Sequence, residues 1–284
     1  PTVSGPYGFR PVNLIGGQVF AGSTRNYPIA FGYNTSIFYG DPVYTTNGFI
    51  ARATLSSNNF ASGQIPVGIF MGCSYTDPST KQKRFSQYWP QGTLSGDAVA
   101  IVTDDPDAVF KLAVCSSGTT IGSVPSAAIG YNLQLIDNTP SNTQVGNSAY
   151  AVKSLAASPA TTAGFPVRLI DVVRDTSATY SGVGYSATTA VTLTTGVNGA
   201  VLAGSEVSYI NSNGLVVDTG RFTTADVASG GTSATLNTTP SIPNAGTAIT
   251  AIPSASNISF TAFTEVLVKI NFGQHIYNVA AANT

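Results

Sequence analysis

Charge is what this sequence has least of. Asp, Glu, Lys and Arg together make up 9% of its 284 residues, against about 25% in an average soluble domain. A monomer usually stays soluble through surface charge. A chain that omits it has exchanged solvent-facing charge for neutral polar surface and protein contacts, which suits a structural subunit better than a free enzyme. The 12 basic and 13 acidic residues leave a net charge of −1. That excludes the basic excess of a nucleic-acid binder and the polybasic run of a membrane-surface protein, so neither nucleic acid nor membrane is expected as a partner. No stretch approaches the roughly 20 apolar residues of a transmembrane helix. The first residues, PTVSGPYGFRPV, lack the charged and apolar regions of a secretory signal. Pro1 fits an initiator methionine trimmed before a small residue, and synthesis in a cytoplasm is expected.

Catalytic residue types are also scarce. His275 is the only histidine, so any Ser-His-Asp or Cys-His site must use it. It lies just past a predicted terminal strand, where a structural role is expected. Gly-x-Ser-x-Gly and Walker-type loops are absent. Gly182-Val-Gly184 echoes a dinucleotide loop but opens no helix. One His and two distant Cys cannot make a zinc site of normal spacing. Cys73 and Cys115 read as small buried thiols, and a disulfide is not expected in a reducing compartment. Asp104-Asp105-Pro106-Asp107 lacks the alternating ligands and closing Glu of a calcium loop. Asp218-Thr219-Gly220 resembles the Asp-Thr-Gly element of aspartic proteases, yet it occurs once and runs into Arg221-Phe222. No catalytic residue, metal or cofactor is expected.

Strand signals are abundant. EVLVKINF (Glu265–Phe272) alternates with period 2, placing Val266, Val268, Ile270 and Phe272 on one face. Further strands are predicted at Ala98–Val102, Val109–Val114, Val67–Tyr75, Asn132–Asp137 and Val167–Val173. Gly and Pro punctuate nearly every apolar run. Thr103–Val109 reads as either a short acid-capped helix or a loop. The expectation is an all-β chain with an antiparallel β-barrel or sandwich main domain.

Three segments are expected. Residues 1–60 read as an extended N-terminal arm with turns and lone aromatics, packed on its own core or lying across a neighbouring subunit. Residues 61–175 plus 258–284 form the main β-domain. Residues 176–257, with no Lys and only Arg221, form a small inserted β-domain. It has predicted strands at Thr188–Thr194, Gly199–Ala203, Glu206–Asn211, Leu215–Thr223 and Ser233–Asn237. Asn211-Ser-Asn-Gly214 is a predicted hairpin turn. The candidate partner-binding residues are the arm aromatics Tyr27, Phe31, Tyr33, Phe38 and Tyr39, and the basic cluster Lys81, Lys83 and Arg84 at a predicted hairpin tip. Trp89 with Tyr88 could stack a sugar.

Three stretches resemble structural proteins of tailed bacteriophages, including cyanophages and marine phages. They are AFGYNTSIFYGDPV (Ala30–Val43), the Gly68–Asp107 stretch with GIFMGCSYTDPSTKQKRFSQYWP and AVAIVTDDPDAVF, and the terminal EVLVKINFGQHIY. The resemblance implies a virion role as a capsid cement or decoration protein. Such a protein binds the outer shell and staples neighbouring capsomers, with the major capsid protein and its own copies (a homodimer or homotrimer) as partners. Its location would be the capsid surface. A tail or fibre component, or a host-surface carbohydrate-binding module, is the competing expectation.

Overall fold

The computed structural model of the chain describes residues 5–138, 143–154, 161–186, 189–237, 251–271 and 273–278. The fold is all-β, built on one sheet that the chain leaves and re-enters twice. It opens with β1 (Arg10–Leu14). A first excursion makes β2 (Arg25–Pro28), β3 (Pro42–Thr46), β4 (Phe49–Arg52), the short pair β5 (Leu55–Ser56) and β6 (Asn59–Phe60), then β7 (Pro66–Thr76), β8 (Lys83–Ser86) and β9 (Val99–Thr103). The chain returns with β10 (Ala108–Ser117), β11 (Thr120–Ile121), β12 (Asn132–Leu133), β13 (Leu135–Asp137), β14 (Tyr150–Lys153) and β15 (Val167–Val172). A second excursion makes β16 (Ala178–Ser186), β17 (Ala190–Thr195), β18 (Glu206–Ile210), β19 (Val216–Phe222), β20 (Ser233–Thr235) and β21 (Ile252–Ala262), and β22 (Glu265–Ile270) returns to the central sheet. Among the described residues the helical pieces are three single 3₁₀ turns, at Ser126–Ala128, Arg174–Thr176 and Ile276–Asn278. Residues 104–107 form the turn between β9 and β10, where the Asp107 amide donates to Asp105 Oδ1 at 2.8 Å.

The central sheet runs β12-β15-β22-β10-β14-β13, with β1 and β11 also paired to β10. β22 is antiparallel to both β10 and β15. Its alternation has the consequence expected of period 2: Val266, Val268 and Ile270 are buried, while Leu267 and Lys269 are half-buried. They pack with Phe110, Leu112, Val152 and Leu169 in one core.

Each excursion curls into a nearly closed sheet of its own. The first runs β2-β9-β7-β3-β4, with β8 on β7, and its outer strands meet through the parallel bridge Ile29↔Ile50. Its core holds Ile29, Ile37, Val43, Ile50, Phe70, Trp89 and Val102. The second runs β19-β18-β21-β16-β17-β20 and is closed by the bridge Thr223↔Leu236. Its core holds Val191, Leu193, Val207, Ile258 and Phe260.

β7 ties the first excursion to the central sheet. Ile69 and Met71 face the central core while Phe70, Cys73 and Tyr75 face the other. A strand buried on both faces reads as a continuous apolar run, which is what VGIFMGC is. Gly68 permits the crowding there, because a Cβ on it would lie 2.2 Å from the Thr103 carbonyl oxygen. The second excursion is held by polar contacts. Glu206 accepts from the Ser126 amide and hydroxyl and from the Ala127 amide. Ser123 donates to the Gly204 carbonyl at 3.3 Å and accepts from the Phe263 amide at 2.9 Å.

A buried ionic group lies where the first excursion meets β13. Arg52 Nε donates to Asp41 Oδ2 at 2.8 Å, and its Nη2 donates to Asp137 at 2.9 and 3.0 Å. Asp41 is fully buried and also accepts from the Phe38 amide at 2.9 Å. Burial pushes the Asp41 carboxyl up, against the pull of Arg52. Burial also weighs against the Arg52 charge, but Asp41, Tyr150 and Asp137 outweigh it and raise the guanidinium above its ordinary value.

Two expected boundaries move. The division at residue 60 falls inside a folded unit: β3 pairs with β7, β2 pairs with β9, and Ile29, Ile37, Val43 and Ile50 are core residues. Strands β1 to β6 therefore place the described part of residues 1–60 in folded sheets joined by loops, and the segment is not an extended arm. Its strands are too short to show alternation, and the partners of β1, β2 and one edge of β3 lie downstream of residue 60. The inserted sheet runs to Ala262 rather than 257, because Ile258, Phe260 and Ala262 continue the pairing of β21 with β16. Residues 199–203, expected as a strand, contribute a single bridge at Val201, and 132–137 is broken at Gln134. Phe272 lies outside the described residues.

Candidate interaction surface

The candidate aromatics divide by environment. Phe38 is buried and stacked on Tyr88, with ring centroids 5.5 Å apart and planes 10° apart. Tyr33 is half-buried against the first excursion's core, and its hydroxyl accepts from the Arg52 amide at 3.0 Å. Tyr39 carries the Arg10 guanidinium 4.1 Å above its ring. Tyr27 donates to Asp104 at 2.8 Å. These four serve the chain's own packing. Phe31 alone of the five is well exposed, beside Leu94, which lies against the Gly32 turn. Trp89 is fully buried, in edge contact with Tyr75, and its Nε1 donates to the Tyr33 carbonyl at 3.2 Å. It offers no open face to a sugar.

The basic cluster does occupy a hairpin tip, with β7 and β8 paired from Cys73↔Ser86 to Thr76↔Lys83. Two of its three charges are engaged within the chain. Lys83 pairs with Asp97 at 2.9 Å and Arg84 with Asp77 at 3.0 Å. Hydrogen bonds from Ser79, Arg84 and Thr80 hold the Asp77 carboxyl well below the usual range, and those from Ser95, Thr76 and Lys83 do the same for Asp97. Lys81 is exposed at the tip in a left-handed conformation, φ 59°. On β8, next to Arg84 in the chain, Phe85 is 81% exposed.

The structure brings out surface residues that the sequence reading missed. Between Arg10 and Arg25 the chain carries no charge. There β1 turns through Ile15–Gln18 into an open loop, with Ile15 and Val19 exposed, Val19 at 80%. On the second excursion, the hairpin joining β18 to β19 exposes Ile210, Leu215 and Val216. Its turn is the predicted one, with the Asn211 amide donating to the Leu215 carbonyl at 2.9 Å and Gly214 to Asn211 at 3.0 Å. The sequence signal for both was a long uncharged run carrying aliphatics out of phase with the inward set: Val207 and Tyr209 point in, so Ile210 points out. Scattered exposed apolar residues are ordinary. Here they gather on loops and hairpin tips of different units.

His275 has a structural setting. It is buried, its Nδ1 accepts from the Tyr277 amide at 3.3 Å, and burial lowers its pKa. Beyond it Ile276 packs on the first excursion's core. The Tyr277 hydroxyl donates to Asp104 at 2.9 Å, on the same oxygen that Arg25 reaches at 3.1 Å. Residues 273–278 thus latch onto the turn after β9. Cys73 and Cys115 are free thiols, pushed up by burial to about 12 and about 11. Among the described residues, no group of three or more His, Cys, Asp or Glu could hold a metal ion, and no helix is long and apolar enough to cross a membrane. No family model matches the chain, and neither a curated protein nor a solved structure matches it.

Proposed function

We propose that this chain is a structural virion protein, a capsid cement or decoration subunit that binds the outer shell and bridges neighbouring capsomers. The observation that carries the reading is the placement of exposed apolar side chains on uncharged projections of different units: Ile15 and Val19, Phe31 and Leu94, and Ile210, Leu215 and Val216. The polar ties at Glu206 and Ser123 and the two-faced strand β7 support a rigid spacing between those projections. Rigid, separated contacts bind together with large avidity even when each is modest. A protein that binds the assembled shell and not its parts stabilises the shell by mass action. The partners are then the major capsid protein and further copies of the chain, on the capsid surface, with no catalytic role.

The test is a cryo-electron map of the particle that carries this protein, with its copy number from quantitative gel densitometry. Density outside the main lattice, in icosahedral multiples and touching two capsomers, is the expected result. Tens of copies at the tail would move the chain to the tail or fibre, and binding of the isolated protein to a glycan array would favour the adhesion reading.

A further inference from the structure

We propose that the β18–β19 hairpin tip is a plug that seats in an uncharged apolar pocket of the partner protein. The inference rests on the capsid reading, in which that pocket belongs to the shell surface. Leu215 is 63% and Val216 72% exposed, with Ile210 beside them. No residue from Val207 to Val217 is charged, so no ion has to be stripped of water when the tip is covered.

The turn is prepared for dehydration. Backbone amides are costly to bury unless they are hydrogen-bonded. Asn211 Oδ1 accepts from the Asn213 amide and from the Leu215 amide, both at 3.0 Å. The Asn211 amide donates to the Leu215 carbonyl at 2.9 Å and the Gly214 amide to the Asn211 carbonyl at 3.0 Å. Four of the five amides from 211 to 215 are therefore bonded inside the hairpin. Gly214, at φ 76°, allows the turn to close. A tip with four of its five backbone amides already used, and whose aliphatics face outward, loses less by leaving water and gains by covering its apolar area.

Charge decides the class of partner. A membrane-inserting loop is normally flanked by Lys or Arg that meet anionic headgroups. The inserted unit has no Lys, and its one Arg, Arg221, is buried. The charged residue nearest the tip on β19 is Asp218, exposed, which an anionic surface repels. A protein pocket that is neutral or faintly basic at its rim fits; a lipid surface does not.

The experiment titrates full-length wild type and the double variant Leu215→Ser, Val216→Ser onto purified shells stripped of this protein. Both positions are exposed, so thermal unfolding of the variant should match wild type. Binding about 10- to 100-fold weaker in the variant is expected from the lost apolar burial. Equal binding would overturn the plug and leave the capsid reading intact. No binding by wild type would overturn the capsid reading and the plug with it. Flotation of wild type, but not of the variant, with phosphatidylserine-containing vesicles would overturn the protein-pocket assignment in favour of lipid.

Discussion

Replacing Arg52 with Met is the sharpest available test of how the first excursion is held to the central sheet. In the native chain the Arg52 side chain is 9% exposed and Asp41 0%, so water screens neither charge. Removing one partner of a buried pair leaves the other uncompensated and costs about 3–5 kcal/mol. The deficit should fall as pH falls. Burial already pushes the Asp41 carboxyl up with Arg52 present, and without the guanidinium that push is unopposed. A raised carboxyl favours the fold when protonated and opposes it as pH rises through the folded value, so the variant should recover part of its loss in mild acid. The double variant Asp41→Asn, Arg52→Met removes the stranded charge and should be more stable than Arg52→Met alone. Trp89 is the only tryptophan and lies in the core beside this group, so urea unfolding followed by its fluorescence reports the unit concerned. A loss below about 1 kcal/mol, the value of an exposed pair, together with no pH dependence, would refute the reasoning.

Two further outcomes follow from the same geometry. His275 is buried with a lowered pKa, so the stability it supports is complete above its ordinary pKa. That stability falls with acid, at up to about 1.4 kcal/mol per pH unit, until the folded pKa is reached. Proteolysis of the 273–278 latch should accelerate over that window and lose its pH dependence in His275→Gln. Gly68→Ala places a methyl 2.2 Å from the Thr103 carbonyl oxygen, a backbone atom that cannot rotate away. It should cost about 1–3 kcal/mol, read by the same fluorescence, and an unchanged midpoint would show that β7 and β9 have slack.

The strands that were legible in the sequence include those with strong alternation or long apolar runs, β7, β9, β10, β15 and β22, and the β17 to β20 series of the second excursion. The change of composition near residue 176, where Lys disappears and Arg221 is the one Arg up to residue 257, falls close to the start of β16 at Ala178. What was hidden is pairing at a distance. β2, β3 and β4 are four or five residues long, and their aromatics looked like an arm because the strands that cover them, β7 and β9, come much later. The same reason hid the surface: Phe38 and Tyr33 cannot be told from Phe31 by type, since burial is decided by partners outside the local sequence. The turn at 211–214 was legible from Asn211 and Gly214, but the aliphatics at 215 and 216 were readable only as members of a strand, and that nothing in the chain covers them is a tertiary fact.

The position of β22 also sets an order of assembly. It lies between β10 and β15, so the central sheet stays in two halves until residues 265–270 have left the ribosome. Both excursions are complete in the chain before that point and can close independently. Their sheets give the nascent protein two modules, the first still lacking Ile276 and the 273–278 latch, while its middle still exposes Phe110, Leu112 and Leu169. Non-local pairing of this kind is slow, and exposed strand edges attract other chains in the meantime. A chain stopped short of Glu265 would then hold two paired sheets, the first without its 273–278 latch, joined by an open, adhesive seam.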